Sequence, residues 1–189
     1  MEKALIVSCS EKGTNFFSEK LLAASVKLII VVQSCGEARR ILLERDFDLV
    51  VVNAPLKDES GENFAQHVAS SYVSQVILAV GNENFDAISA ACEDLGILTI
   101  SKPVNKDIFW ATLKLAIAAQ NRLRRMHNEN SMLKQKIEDI RIIDRAKCLL
   151  ISRLNLSEKE AHRSIEKQAM DMRSSKKEVA EIILKTYEN

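Results

Sequence analysis

The 189-residue sequence predicts a doubly wound α/β sheet of five parallel strands, then a long coiled-coil helix and a small three-helix C-terminal domain. Three observations carry this. Short Val- and Ile-rich runs alternate with segments of helical period through the first ~105 residues, the mark of repeated β-α steps. Glycine and proline then vanish, with none after Pro103, and strand-like runs vanish with them. Finally, Ser157-Glu160 and Ser175-Glu178 both fit the S-x-x-E capping box that opens a helix.

The strands are expected at Ala4–Val7, Lys27–Val32, Asp48–Asn53, Gln75–Val80 and Ile97–Ile100. Each is nearly all apolar, as suits a strand covered on both faces. Helices are expected between them at Thr14–Ala24, Glu37–Arg45, Asn63–Ser70 and Asp86–Leu95, with right-handed crossovers. Residues 106–154 read as one helix, roughly 70 Å long at 1.5 Å per residue. Within it Leu123, Met126, Asn130, Leu133, Ile137 and Ile140 alternate spacings of three and four, an a/d seam with Asn130 at an a position. Two such asparagines can pair across the axis of a parallel, in-register pair, so a homodimer is expected; the alternative is a helix seated on its own domain. Helices near 158–172 and 176–187 join the end of the long helix in a compact unit. Its apolar stripe is expected to hold Ala146, Leu149, Leu150, Ala161, Ile165, Ala169, Val179, Ile182 and Ile183. The expected domains are 1–105, a linker helix over 106–135, and 136–189.

Composition excludes several classes. The 27 basic and 26 acidic residues nearly cancel, so neither an acidic tail nor a histone-like body is present. The halves differ: residues 1–121 carry 11 basic and 15 acidic side chains, residues 122–189 carry 16 and 11. A basic C-terminal third suits a polyanion-binding end, or is a solvated helical face. Apolar runs such as Leu28–Val32 fall far short of the ~20 residues of a membrane span. The start has no signal-peptide pattern, and Cys9, Cys35, Cys92 and Cys148 are scattered, so reduced thiols of a cytoplasmic protein are expected. No Walker A or G-x-G-x-x-G motif occurs, and His67, His127 and His162 show no metal-ligand spacing. No enzyme activity, metal or cofactor is expected.

The run Ile143 to Arg153, then Leu156 to Arg163, then Gln168 to Asp171, resembles an ANTAR domain, the RNA-binding output module of bacterial antitermination regulators. Ala146-Lys147, Glu160-Ala161 with Arg163, Ala169-Met170 and Val179-Ala180 fall in family order. Cys148 stands where a glycine is usual, and His162 where an aromatic is usual. The resemblance implies that hairpin RNA in a nascent leader is the partner. Lys147, Arg163 and Arg173 would contact phosphates or loop bases, and His162 would stack on a base. Ala146 and Ala161 would allow close backbone approach, and Met170 belongs to the same surface.

The first ~105 residues resemble a response-regulator receiver domain, whose chemistry needs acids after the first strand and an aspartate ending the third. Here those places hold Ser8, Cys9 and Asn53; the switch hydroxyl is replaced by Ala79, and only Lys102-Pro103 survives. The resemblance therefore implies a vestigial phosphoacceptor pocket, with Asp48, Asp58 and Glu11 expected to be solvated acids rather than substitutes. The rival readings are a protein-interaction adaptor that uses the receiver-like face and the coiled coil without RNA, and a working phosphorelay receiver. A regulatory protein partner on the receiver-like domain fits the RNA-binding reading and the adaptor alike.

Overall fold

The structure, a computed structural model, describes residues 1–187. It forms two compact units, Met1–His127 and Asn128–Asn189.

In the first unit, β1 (Lys3–Val7), β2 (Leu28–Val32), β3 (Leu49–Asn53), β4 (Gln75–Gly81) and β5 (Leu98–Lys102) pair in parallel in the order β2-β1-β3-β4-β5. This is the doubly wound sheet that the sequence predicts. Register follows the alternation of side chains: Leu5 lies beside Val50 and Ile30, while Ile6 lies beside Val51 and Val31. One face then joins Leu5, Val7, Val50 and Val52 to Phe64, Val68 and Leu42. The other joins Ile6, Val51 and Ile77 to Phe17, Leu21, Phe109 and Leu113. Both faces are covered, which is why the strands read as continuous apolar runs.

The covering helices are α1 (Glu11–Ala23), α2 (Cys35–Glu44), α3 (Glu62–Ser71), α4 (Phe85–Glu93) and the start of α5 (Lys106–Leu154). Two start earlier than their periodicity suggests, because serine caps set the ends. Ser10 Oγ accepts from the Gly13 N–H, and Ser34 Oγ accepts from the Glu37 N–H. Gly61 precedes α3 at φ +92°, where a Cβ would also press on Val52, so the turn requires glycine. Composition alone sets a border near 105, but residues 106–127 of α5 belong with the sheet. Phe109, Leu113, Ala116 and Gln120 are buried there, and the Gln120 amide donates to the Val73 carbonyl at 2.9 Å.

The second unit contains the rest of α5, α6 (Glu158–Met172) and α7 (Lys176–Tyr187). Both C-terminal capping boxes close: Ser157 and Glu160 exchange bonds, as do Ser175 and Glu178. Its core is Ala146, Leu150, Ala161, Ile165, Ala169, Val179, Ala180, Ile183 and Leu184, with Leu149 partly buried against it. One expected stripe residue is corrected: Ile182 is exposed, while Ala180 and Leu184 turn inward. The inward face of α7 is 179-180-183-184, and position 182 falls outside it.

Candidate functional site

The C-terminal edge of a doubly wound sheet is where such folds place their chemistry. Here β1, β3 and β5 bring Ser8, Asn53 and Lys102 to that edge. Asn53 is buried, and its Nδ2 donates to Ser8 Oγ at 2.9 Å. Ser8 Oγ in turn donates to the Ser10 carbonyl at 3.1 Å. The first turn of α1 lies hard against this pair: a Cβ on Gly13 would stand 2.3 Å from Asn53 Nδ2. Lys102 donates its ammonium to the Ala54 carbonyl, and burial holds its pKa below the usual lysine range. Cys9 is half-buried and its thiol donates to the Pro55 carbonyl at 3.5 Å. Ala79 is wholly buried in the sheet. The sequence brings these five residues to one edge, and the polar ones are bonded to one another or to backbone.

The acids weighed as substitutes are engaged elsewhere. Asp48 Oδ2 accepts from the Glu2 and Lys3 N–H groups at the opposite end of the strands. Asp58 accepts from the Cys35 and Gly36 N–H groups at 3.1 and 2.9 Å, a carboxylate seated on the start of α2. The expected solvated state is thus corrected for Asp48, which is partly buried, whereas Asp58 is exposed as expected; backbone donors hold both carboxyls below the usual range. Glu11 is exposed on the first turn of α1.

Sequence reasoning missed the network beside Asp58. Arg39 clasps Glu59 with two bonds, the second at 3.1 Å, and stacks its guanidinium 5.3 Å from the Phe64 ring. Among the described residues, Cys35, Asp58 and Glu59 are the trio whose potential metal-ligating atoms lie within 4.8 Å of one another. Burial pushes the Cys35 thiol up to about 12, with neighbouring Glu59 adding to it. A protonated thiol and two carboxylates already taken by an arginine and a helix start are a structural joint between α2 and the loop after β3. Nothing in a single sequence pairs Arg39 with Glu59 across that loop.

In the second unit the expected RNA residues separate into two groups. Ala146 and Ala161 are fully buried in its core. Their expected role at an RNA surface is corrected: they pack helices, and their small size is what lets α5 and α6 share that core. Lys147 is also drawn in. Its ammonium lies 2.8 Å from Asp144 and 3.6 Å from Glu158, tying α5 to α6, and Asp144 foremost raises its pKa. The other group faces outward. Arg163 and Arg173 are exposed and make no ion pair among the described residues; Met170 is 78% exposed. His162 lies on the same helix, its Nε2 3.2 Å from Glu166. Arg173 ends α6 in the left-handed conformation at φ +52°, which turns the chain toward α7.

Cys148 is exposed beside Arg141 and Arg145. The seam residues Leu123, Met126, Leu133, Ile137 and Ile140 are between 41% and 57% exposed, and Asn130 is exposed among them. The charge split is also finer than a halving of the chain suggests. Of the basic excess after residue 121, Arg122, Arg124 and Arg125 belong to the first unit.

A five-stranded sheet in this order with its five helices defines a receiver fold, and known proteins agree. The receiver domain of an HD domain-containing protein from Pseudomonas fluorescens superposes with a TM-score of 0.57 at 21% identity, over 66% of this chain and 92% of that one. A two-component response regulator from Clostridium difficile gives 0.56 at 19% identity, over 64% and 99%. Residues 131–184 match the ANTAR domain model. The transcriptional regulatory protein PdtaR of Mycobacterium tuberculosis is 24% identical over 139 residues, 74% of this chain and 68% of that protein. Residues 131–184 therefore match an ANTAR domain behind a receiver-fold domain, and the chain is distantly similar to a transcriptional regulatory protein.

Proposed function

We propose that this protein is an RNA-binding transcription antitermination regulator that acts as a homodimer, with a receiver-like domain not switched by aspartyl phosphorylation. The observation that carries the reading is the ANTAR match at 131–184, folded so that α6 presents His162, Arg163, Met170 and Arg173 outward. A-form stems hide their base edges from side chains, so a small helical module gains specificity from loop bases and affinity from phosphates. Unpaired guanidiniums on an exposed helix suit that task. Lys147 serves the interface indirectly, by fixing α6 against α5.

Dimerisation is supported by the unpartnered apolar seam, which continues beyond the part of α5 that packs on the sheet. The unswitched receiver is supported by the Asn53–Ser8 and Lys102–Ala54 bonds, which occupy the groups an acyl phosphate and its Mg²⁺ would need. The test uses the full chain and RNA selected by it from a pool of stem-loops with fixed stems and randomised loops. Arg163→Ala and Arg173→Ala should each weaken binding by on the order of tenfold with circular dichroism unchanged. Unchanged affinity in both variants would remove α6 from the interface. Sedimentation equilibrium should give a dimer, and Leu133→Asp with Ile137→Asp a monomer; a monomeric wild type at micromolar concentration would overturn the seam.

A further inference from the structure

The turn between α6 and α7 leaves a hollow of about 480 Å³ lined by Glu166, Ala169, Met170, Arg173, Ser174 and Lys176. Its floor follows from the cap. With Arg173 left-handed, the Ser174 N–H reaches back to the Ala169 carbonyl at 3.0 Å, which folds Ser174 against the last turn of α6. The Ser174 hydroxyl is shut off from bulk solvent and has no hydrogen-bond partner among the described residues. A buried unpaired hydroxyl costs stability, so it calls for a reason. Around it stand an exposed thioether, an exposed guanidinium without an ion pair, and the Glu166 carboxylate. Lys176 at 2.5 Å and His162 at 3.2 Å both approach Glu166 Oε1, so one wall of the hollow carries an ion pair.

We propose that this hollow receives one unpaired base of the RNA loop, with Met170 and Arg173 against its face and its edge read by Glu166 and by Ser174 Oγ, which turns about its Cα–Cβ bond from its sealed position toward the hollow. The proposal rests on the RNA-binding reading and adds a base-specific subsite to it. The chemistry is particular. Arg173 and Lys176 outnumber Glu166, so charge alone would draw any phosphate group. A base is singled out because it offers a flat face to a polarizable sulfur and a guanidinium and can present an N–H donor to the carboxylate. The hydroxyl both donates and accepts, so it can finish a base edge that no neighbouring side chain completes.

Ser174→Ala separates this role from a structural one. Removing an unpaired buried hydroxyl should leave the thermal midpoint of the free chain unchanged or raise it, because no bond is lost. Affinity for the selected stem-loop RNA should nevertheless fall about tenfold. Scanning the loop with abasic nucleotides should find one position that matters to the wild type, and Ser174→Ala should be less sensitive at that position alone. Met170→Ala, at an exposed site, should reduce the same sensitivity. Wild-type affinity in Ser174→Ala with an unchanged abasic profile would overturn the subsite while leaving RNA binding intact. A lowered thermal midpoint would also overturn it, by making the hydroxyl structural. If the pool yields no stem-loop that the wild type prefers, the underlying reading fails first.

Discussion

Replacing Asn53 by aspartate restores the one residue that a phosphoacceptor most obviously lacks, and the structure predicts that it makes the domain worse. Asn53 is 6% exposed, and its amide gives Ser8 Oγ a proton at 2.9 Å. A carboxylate has no proton to give, and the Gly13 backbone leaves no room for it to turn away. The variant thus buries a charge whose one neighbouring donor, the Ser8 hydroxyl, must leave the Ser10 carbonyl to reach it, while Lys102 remains on the Ala54 carbonyl. Leaving a buried group unsatisfied costs about 1–3 kcal/mol, and more for a charge. Taking about 2 kcal/mol and a urea slope of about 2 kcal/mol/M, the midpoint should fall by about 1 M at pH 7. The new carboxyl should have a folded pKa above its unfolded value, since burial disfavours the charge. Its penalty is then absent below the unfolded value near 4 and grows as pH rises through the folded value. Trp110 is the chain's one tryptophan and packs against the core of the first unit, so its fluorescence reports that unit alone. The wild type and variant should converge near pH 4 and diverge by pH 7. Equal midpoints at pH 7, or a phosphoryl mass gain in the variant with acetyl phosphate and Mg²⁺, would refute the description of the pocket.

Two further outcomes follow from the same geometry. Lys147→Ala should lower the thermal stability of the second unit by about 1 kcal/mol, because it removes a half-buried link between Asp144 and Glu158; circular dichroism of the full chain, read at the second transition, checks it. Among the cysteines, exposed Cys148 should react first with a thiol reagent at pH 8, whereas Cys35, protonated to about pH 12, should stay unmodified until the chain unfolds; mass mapping after brief labelling decides this.

Most of the fold was legible because its signals are local. The five strands are apolar on both faces, and Ser157 and Ser175 mark their helices within one turn. The same S-x-x-E spacing at Ser34-Glu37 was available and unused, which is why α2 begins earlier than its periodicity suggests. The pocket residues were legible by their place at strand ends, since chain order and a parallel sheet bring Ser8, Asn53 and Lys102 together. What they bond to was not: the Ser8–Asn53 and Lys102–Ala54 partners depend on side-chain rotamers. The RNA surface was legible only in part. Ala146, Ala161 and Lys147 stand among the family-like positions, yet folding turns the alanines inward and hands the lysine to two acids. Ser174 carried no signal, because an unpaired hydroxyl exists only once its surroundings are built.

The most direct test of the account is equilibrium binding of the full wild-type chain to a selected tandem stem-loop RNA. It is compared with an unstructured RNA of equal length and charge, at about 50 and 200 mM salt. Salt should weaken both, while a preference of at least about tenfold for the stem-loops persists at the higher concentration. Equal affinities that fall together with salt would contradict it, and would reduce the exposed arginines of α6 to a solvated face.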